Sequence, residues 1–401
     1  MRNAILLLLV QRSKVCLVVT IHPQPKGSGI LAPKLIKKYM IILYMHTDKL
    51  HEPYKLKPKI QSALIEITNM CNYRCSFCLY RLSKKKPSHF PATKLIEFIK
   101  DLDRLNVKEL TITGEGEPTL HPEIRKILIC AAKTKIKTCI QTNGTYGEKL
   151  RKVMLLPNEV HFNISFFTKE AFSKLNRGIK FCIPQVIENM KFIKAQEMRP
   201  KIVVIYIINK YNLHEIETIV DRLNDLGVDA VEFKACEVLH PLNDNLMLSK
   251  EDARSVALNL IRQIKYCRFE NNILEISRDF TNSYIGKNIF KSSFSAKTSK
   301  PEPGSESDGV LRKEDLNACF NPLRYFYLLL NGDVYPCYWN HLLIEPIGNI
   351  NEKNIIEILN SKHYRDIVNE HAFNFDINKP KWYKCATCPV KNVGNPITKI
   401  K

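Results

Sequence analysis

From about residue 62 onward, runs rich in β-branched residues alternate with segments of helical periodicity. The strand candidates are Ala63 to Thr68, Glu109 to Thr113, Lys137 to Thr142, Glu159 to Ser165, Lys201 to Ile208 and Ala230 to Lys234. The helix candidates between them lie near Thr93 to Leu105, His121 to Ala132, Ile183 to Ala195 and Leu213 to Leu226. This alternation is typical of parallel α/β folds. It predicts an open, partial (β/α)6 TIM-like barrel whose strand C-terminal ends share one side, where such folds place their chemistry.

Local signals set several helix ends. Asn212, with Glu215 three residues later, predicts an N-cap, and Gly227 suits a left-handed C-cap. Ser249 and Asp252 predict the start of a further helix after the barrel.

Four segments follow from these patterns. They are an N-terminal extension of uncertain structure at residues 1–57, the barrel core at 58–245, a helical connection and flexible linker at 246–318, and a small cysteine-rich α+β lobe at 319–393. In the last segment, Asn331-Gly332 separates the runs Tyr325 to Leu330 and Val334 to Tyr338, which predicts a β-hairpin.

A cysteine-rich loop directly follows the first strand. Cys71, Cys75 and Cys78 are spaced so that three thiolates converge at the open end of the barrel. Three ligands leave one iron of a [4Fe-4S] cluster free. That iron can bind S-adenosylmethionine (SAM), and one electron delivered to the sulfonium breaks a carbon-sulfur bond to release methionine and a 5'-deoxyadenosyl radical. The spacing resembles the signature of the radical SAM superfamily, with Phe77 at its aromatic position. The alternative is a structural zinc site.

The second strand ends in Thr-Gly-Glu-Gly-Glu-Pro. Glycines at a strand end permit close approach of another backbone, and the neighbouring acid can meet a cation. The segment resembles the superfamily's Gly-Glu-Pro motif with one inserted residue. The resemblance implies that Gly114, Gly116, Glu117 and Pro118 bind the cofactor, with Glu117 at its amino group.

Two weaker motifs end the next strands. Asn143, in a Gln-Thr-Asn-Gly sequence, and Ser165 lie where the superfamily places further cofactor contacts. Taken alone, such residues belong to an ordinary turn or cap. Phe166 and Phe167 stand where family members often carry an acidic residue, so the ribose contacts depart from the pattern.

A second cysteine set lies near the C-terminus: Cys319, Cys337, Cys385 and Cys388. Four thiolates can close a cluster completely. The set resembles the auxiliary-cluster domain of the superfamily, called twitch in its short form and SPASM in its longer form, and implies a second [4Fe-4S] cluster. A four-cysteine zinc ribbon is the alternative.

The remaining cysteines are Cys16, Cys130, Cys139, Cys182, Cys236 and Cys267. Cys130 and Cys139 lie in apolar helix and strand sequences, where cysteine usually behaves as a small buried hydrophobe. We assign them no role. His121 is expected to pack against or cap the following helix.

The resemblance implies hydrogen abstraction from a small-molecule or peptide substrate. Because a fully ligated auxiliary cluster has no free iron for substrate, it is expected to accept an electron, which gives net oxidation. A flavodoxin- or ferredoxin-type protein is the expected electron donor. The alternatives are a radical SAM enzyme that modifies RNA and a zinc-stabilised binding protein without enzymatic activity.

Composition bears on three classes of partner: nucleic acid, metal ions and membranes. The formal net charge of +21 could attract RNA, but the basic residues are scattered along the sequence, which weighs against a nucleic-acid site. Thirteen cysteines spread over 401 residues favour metal binding over disulfides. They also favour a cytoplasmic location. The apolar run Ala4 to Val10 is too short to span a membrane.

Overall fold

One ten-stranded sheet organises the described part of the chain. The computed structural model describes residues 59–78, 80, 85–176, 179–236, 246–266, 273–276, 324–337 and 345–372. The strands are β1 (Ser62–Glu66), β2 (Glu109–Thr113), β3 (Lys137–Thr142), β4 (Glu159–Asn163), β5 (Lys201–Ile208), β6 (Ala230–Ala235), β7 (Ile273–Ile276), β8 (Tyr325–Leu328), β9 (Asp333–Tyr335) and β10 (Gly348–Asn349).

The strand order is β10-β9-β8-β1-β2-β3-β4-β5-β6-β7. Neighbouring strands from β8 through β1 to β7 pair in parallel, and β9 pairs antiparallel with β8 and β10. The two edge strands do not pair with each other, so the sheet is an open partial barrel. The predicted fold class is confirmed.

Helices follow most of the strands. They are α1 (Ala92–Arg104), α2 (Ile124–Ala132), α3 (Glu148–Arg151), α4 (Lys169–Leu175), α5 (Ile183–Lys194), α6 (Ile219–Asp225), α7 (Lys250–Tyr266), α8 (Ile355–Leu359) and α9 (Lys362–Ala372). In α1, Leu95, Phe98, Ile99 and Leu102 are buried at helical spacing, so one stripe of the helix faces the core.

The two faces of the sheet differ in burial. Ile112, Ile140 and Val160 lie on one face and are fully buried. The opposite face, which we call the open face, carries the registered row Leu64, Thr111, Cys139, Glu159 and Lys201. Every member of that row is partly exposed.

The predicted helix from Leu213 to Leu226 is interrupted. A 3-10 turn at Leu213–Glu215 precedes α6, and the Asn212 side chain does not cap it. Asn212 instead donates to the carbonyl oxygens of Ser165 and Ile207, at 2.8 Å and 2.9 Å. The predicted N-cap is therefore wrong, because tertiary contacts use the side chain. Gly227 does adopt a left-handed φ of +65°.

The C-terminal hairpin is confirmed, with β8 and β9 paired at Tyr327 and Tyr335 and Gly332 at φ +93°. Beyond the prediction, β8 also pairs in parallel with β1, from Ser62 opposite Tyr325. The hairpin thus continues the barrel sheet. Strand β7 beside β6 was likewise not predicted.

The cap at Ser249 is confirmed, since its Oγ accepts from the Asp252 amide at 3.0 Å. Residues 277–318 of the predicted connection and linker lie outside the described residues. Among the helices that the structure describes, none combines the length and apolar character needed to cross a bilayer.

Candidate functional site

The cysteine loop after β1 is held by backbone contacts. The Cys78 amide donates to the Cys75 carbonyl at 3.1 Å, and the Ser76 amide donates to the Leu175 carbonyl at 2.8 Å. Asn176 Oδ1 accepts from the Cys75 thiol at 3.2 Å. The loop is therefore fixed in part by the end of α4, a contact that the local sequence does not reveal.

The glycine motif after β2 packs directly on this loop. The Gly116 amide donates to the Thr68 carbonyl at 3.0 Å, and the Glu117 amide donates to the Met70 carbonyl at 2.7 Å. A Cβ atom at Gly116 would lie 2.1 Å from the Met70 oxygen, and one at Gly114 would lie 2.5 Å from the Thr68 oxygen. Both glycines thus let two backbones meet at the C-terminal edge of the sheet.

Glu117 joins the ends of β2 and β3. Its Oε1 accepts from the Thr119 amide at 3.0 Å and from the Thr119 and Thr142 hydroxyls, each at 2.7 Å. Its Oε2 accepts from the Asn143 amide at 2.6 Å. Burial raises the pKa of this carboxyl, while these hydrogen bonds oppose the shift. All four hydrogen bonds come from protein donors, so the Glu117 side chain holds the loop after β2 against the end of β3.

Asn143 connects the third motif to the cysteine loop. Its Nδ2 donates to Asn72 Oδ1 at 2.8 Å, and Asn72 Nδ2 donates to Thr145 Oγ1 at 2.8 Å. Three sequence motifs, from the ends of β1, β2 and β3, therefore form one hydrogen-bonded unit. Pro118 belongs to the same edge, where it begins a 3-10 turn.

The thiols of the loop share one electrostatic environment. The pKa of Cys71 is raised to about 11, chiefly by burial and in part by the charges of Glu117 and Cys78. Burial also raises the pKa of Cys75, followed by the charges of Cys78 and Cys71. Thiolates at neutral pH therefore need a cationic metal centre to stabilise them.

The donor set of the loop suits an iron-sulfur cluster. Cys71, Cys75 and Cys78 offer three thiols from one eight-residue loop, and thiolates are the ligands that hold such clusters. Three thiolates would leave one iron of a [4Fe-4S] cluster open to another ligand.

Two other residues predicted to contact the cofactor, Ser165 and Phe77, are not part of the hydrogen-bonded unit described above. Ser165 follows β4, and its buried hydroxyl accepts from the Ile207 amide at 3.2 Å. Phe77 is partly buried and packs against the hydrophobic core. Their predicted roles toward the cofactor stay predictions.

Sequence reasoning missed a buried carboxyl at the end of β1. Glu66 is 1% exposed and accepts hydrogen bonds from Tyr327 of β8 and, at 3.1 Å, from the Tyr80 hydroxyl. Among the described residues, no group forms a hydrogen bond with its second oxygen, Oε2. The pKa of Glu66 is raised to about 7, chiefly by burial and in part by the nearby Glu115. The signal in the sequence is an acidic residue ending the apolar strand just before the cysteine loop.

Glu115, the residue inserted in the glycine motif, forms the second part of this cluster. It is 8% exposed and forms an ion pair with Lys85, and its Oε2 has no hydrogen-bond partner in the part of the chain that the structure describes. We call Glu66, Glu115, Lys85, Tyr80 and Tyr327 the carboxylate cluster. It lies beside the cysteine loop and offers two buried carboxylate oxygens that can accept a proton or a donor group.

The second cysteine set is described only in part. Cys337 is buried and follows β9 by two residues. Cys319, Cys385 and Cys388 lie outside the described residues.

The structure tests two further expectations. His121 Nε2 lies 2.8 Å from the Phe90 carbonyl and its Nδ1 accepts from the Glu123 amide, which confirms a capping role. Cys139, expected in apolar surroundings, instead lies on the open face beside Glu159 and His161, so that expectation is wrong. The alternating register of β3 puts Cys139 on the opposite face from the buried Ile140.

Comparison with known families gives two matches. The profile of the radical SAM superfamily matches residues 65–223, and that of the SPASM iron-sulfur cluster-binding domain matches residues 319–389. The first contains the cysteine loop and the second contains the whole C-terminal cysteine set.

Individual relatives are distant. An S-adenosylmethionine-dependent nucleotide dehydratase from Fibrobacter is 25% identical over 41% of this chain, and the match spans about half, 51%, of that relative. A Pyrococcus furiosus protein described as modifying the cofactor of tungsten-containing aldehyde ferredoxin oxidoreductase is 22% identical over 82% of this chain and 87% of its own length.

Among solved structures, Streptococcus suis SuiB bound to the precursor peptide SuiA is similar, with a TM-score of 0.57 at 17% identity. The match covers 87% of this chain and 75% of SuiB. At this identity the likeness concerns the fold.

Proposed function

The chain belongs to the radical SAM superfamily and carries a C-terminal SPASM-type domain, and from this we propose that it oxidises a substrate after abstracting a hydrogen atom from carbon. The two domains identify a radical SAM enzyme with a SAM-binding [4Fe-4S] cluster and auxiliary iron-sulfur chemistry. The observation that carries the proposal is the hydrogen-bonded unit that fixes the cysteine loop to the ends of β2 and β3.

We assign Cys71, Cys75 and Cys78 to the SAM-binding cluster. When bound, this cluster supplies one electron to SAM and so yields the 5'-deoxyadenosyl radical. The adjoining edge, with Gly114, Gly116 and Pro118, binds the cofactor beside it. Glu117 is proposed to meet the amino group of the cofactor through Oε2, which accepts one hydrogen bond from the protein, while its other bonds hold this edge in place.

Further cofactor contacts come from three residues around the edge. Asn143 presents its amide through the bridge to Asn72. Ser165, at the end of β4, and Phe77, in the cysteine loop, complete the proposed set. Each is within the matched superfamily region.

Net oxidation of the substrate requires the loss of a hydrogen atom, a proton and an electron. Glu66 would accept the proton, because its Oε2 has no hydrogen-bond partner among the described residues and burial raises its pKa to about 7. Cys319, Cys337, Cys385 and Cys388 would hold a second [4Fe-4S] cluster, which would supply the electron acceptor, and the hydrogen atom would leave with the 5'-deoxyadenosyl group. Tyr327 supports this route, because it binds Glu66 from the strand that leads through β9 to Cys337.

A peptide is the favoured substrate class. The similarity of fold to SuiB, whose structure contains a precursor peptide, supports this choice. The nucleotide dehydratase among the relatives makes a small molecule the second candidate.

An acidic flavodoxin- or ferredoxin-type protein is the proposed electron donor. The formal net charge of +21 supports this choice, because opposite charge accelerates the encounter of two proteins. The same charge would also serve RNA, and salt-dependent RNA retention would favour the RNA-modifying alternative.

The first experiment measures iron, sulfide and zinc in anaerobically purified protein and 5'-deoxyadenosine formed with SAM and dithionite. Wild type should contain about eight irons per chain. Replacement of Cys71, Cys75 and Cys78 by alanine should leave about four and abolish cleavage. Cys130→Ala is the matched control and should keep both. Zinc without cleavage in wild type would instead identify a zinc-stabilised protein.

A second experiment addresses the substrate. Peptide and small-metabolite fractions from a deuterium-labelled extract are incubated with enzyme and SAM, and mass spectrometry counts deuterium in 5'-deoxyadenosine. Deuterium transfer that disappears after protease treatment of the fraction supports a peptide, whereas transfer from the protease-resistant metabolite fraction would overturn that choice. Glu66→Gln should retain transfer but lower the yield of oxidised product per 5'-deoxyadenosine.

A further inference from the structure

A second group of metal-binding side chains lies on the open face, away from the cysteine loop. Cys139 on β3 is registered opposite Glu159 on β4, and His161 follows Glu159 by two residues on the same face. One ligand atom of each residue lies within 4.8 Å of the other two. The distance between neighbouring strands and the two-residue repeat of a strand produce this closeness, so the backbone itself fixes it.

We propose that Cys139, Glu159 and His161 bind one divalent zinc-class cation. A thiolate, an imidazole and a carboxylate are the donors that zinc uses in proteins. Tetrahedral zinc with bonds of about 2.0–2.3 Å holds its ligand atoms about 3–4 Å apart, and small rotations of the three side chains can adjust the separations here to that range. Three protein ligands would leave a fourth position of a tetrahedral ion for a water molecule.

The charges around the group are compatible with this ion. A thiolate and a carboxylate together neutralise a divalent cation. Lys137 Nζ lies 2.7 Å from Glu159 Oε1, while the other oxygen, Oε2, lies 2.8 Å from His161 Nε2. The Lys137 side chain is 52% exposed, so it can keep one oxygen or move into solvent when the other oxygen binds the metal.

Burial distinguishes this group from a surface cluster. The side chains of Glu159 and His161 are only 15% and 20% exposed. A thiol, an imidazole and a carboxylate placed this close and this far from bulk water are a donor set for which a bound cation replaces lost hydration. The competing explanation is a simple ion-pair chain of Lys137, Glu159 and His161 beside a protonated thiol.

The position separates the proposed ion from the radical chemistry. Cys139 lies three residues before Thr142 at the end of β3, which corresponds to on the order of 10 Å along the strand. The cysteine loop and the glycine motif lie at that strand end. The proposal therefore does not depend on the proposed function.

Metal analysis of the holoprotein tests the proposal. Anaerobically purified protein with its iron-sulfur clusters is equilibrated with ZnCl2, freed of loosely bound ions by gel filtration, and analysed for zinc, iron and sulfide. Wild type should hold about one zinc more than Cys139→Ser or His161→Gln, with iron and sulfide equal in all three. Cys130→Ser is the matched control and should bind zinc like wild type.

X-ray absorption at the zinc edge provides a second measurement. The wild-type spectrum should contain a sulfur ligand at about 2.3 Å and lighter ligands at about 2.0 Å, and the sulfur contribution should be absent from Cys139→Ser. Equal zinc content in wild type and in a well-folded His161→Gln would overturn the proposal. Zinc that persists in both variants, together with low iron, would overturn the proposed site and would indicate that the zinc is bound by the C-terminal cysteines. That outcome would also contradict the assignment of an auxiliary iron-sulfur cluster to those cysteines.

Discussion

Glu117 and Glu66 are both buried carboxyl groups at the C-terminal edge of the sheet, but their surroundings differ. Glu117 accepts four hydrogen bonds from protein donors that join β2 to β3. Glu66 accepts hydrogen bonds from two tyrosines and leaves Oε2 unpaired. Burial alone therefore does not define a reactive group. A fully bonded carboxylate stabilises the site, whereas one with an unpaired oxygen is available to exchange a proton.

The largest expected effect on stability comes from crowding the glycine motif that precedes the fully hydrogen-bonded Glu117. In Gly116→Ala, the new Cβ would lie 2.1 Å from the Met70 oxygen, so the cysteine loop must shift. We expect the free energy of unfolding to fall by about 3 kcal/mol and iron binding by the loop to decrease. Gly147→Ala, where a Cβ meets no atom within 4 Å, is the control for denaturant melts and iron analysis. Equal effects would show that the close approach is unimportant.

Replacing each carboxyl by an amide tests the comparison directly. Glu117→Gln places an NH2 group among donors, and we expect a loss of about 2–3 kcal/mol in the free energy of unfolding. Glu66→Gln at pH 8 should cost much less or stabilise the fold, because it removes a buried charge that lacks a full set of partners. Urea denaturation of the two variants measures the difference. Similar losses would contradict the distinction between them.

The stability of the protein should also depend on the proton of Glu66. The folded carboxyl keeps its proton up to about pH 7, whereas the unfolded one loses it near its ordinary pKa of 4.5. The folded state binds more protons in this window, so the Glu66 contribution to the free energy of unfolding falls as pH rises. We expect a decrease of about 2 kcal/mol between pH 5 and pH 8 relative to Glu66→Gln. Parallel pH profiles for wild type and variant would disprove the shift.

The smallest effect concerns the bridge between loops. Asn72→Ala removes the hydrogen bonds to Asn143 and Thr145, each 2.8 Å long, at a partly exposed site. A loss of about 1 kcal/mol in thermal or urea melts is expected, together with a modest weakening of SAM binding measured by equilibrium dialysis. Thr134→Ala is the control, because Thr134 lies on the turn after α2, at the opposite end of β3 from Asn143. SAM binding should be unchanged in this variant.

The comparison also shows why part of the site could be read from sequence. The residues from Cys71 to Cys78 and from Gly114 to Pro118 follow strands, and parallel strands bring such loops to one edge. Glu66 was missed because its special property depends on Tyr327, 261 residues away, which reaches it only through the pairing of β8 with β1. The N-cap prediction for Asn212 was wrong because its side chain binds the carbonyl groups of Ser165 and Ile207 and does not cap the turn that follows.

The sequence by itself determined the alternation of strands and helices, the open α/β barrel and the cysteine spacings, because hydrophobic periodicity and motif spacing act over short distances. Only the tertiary structure decided which buried carboxyl is fully bonded, which cysteine meets a histidine and a glutamate, and how the hairpin joins the barrel sheet. These outcomes depend on register and strand order, which bring residues from distant parts of the chain into contact.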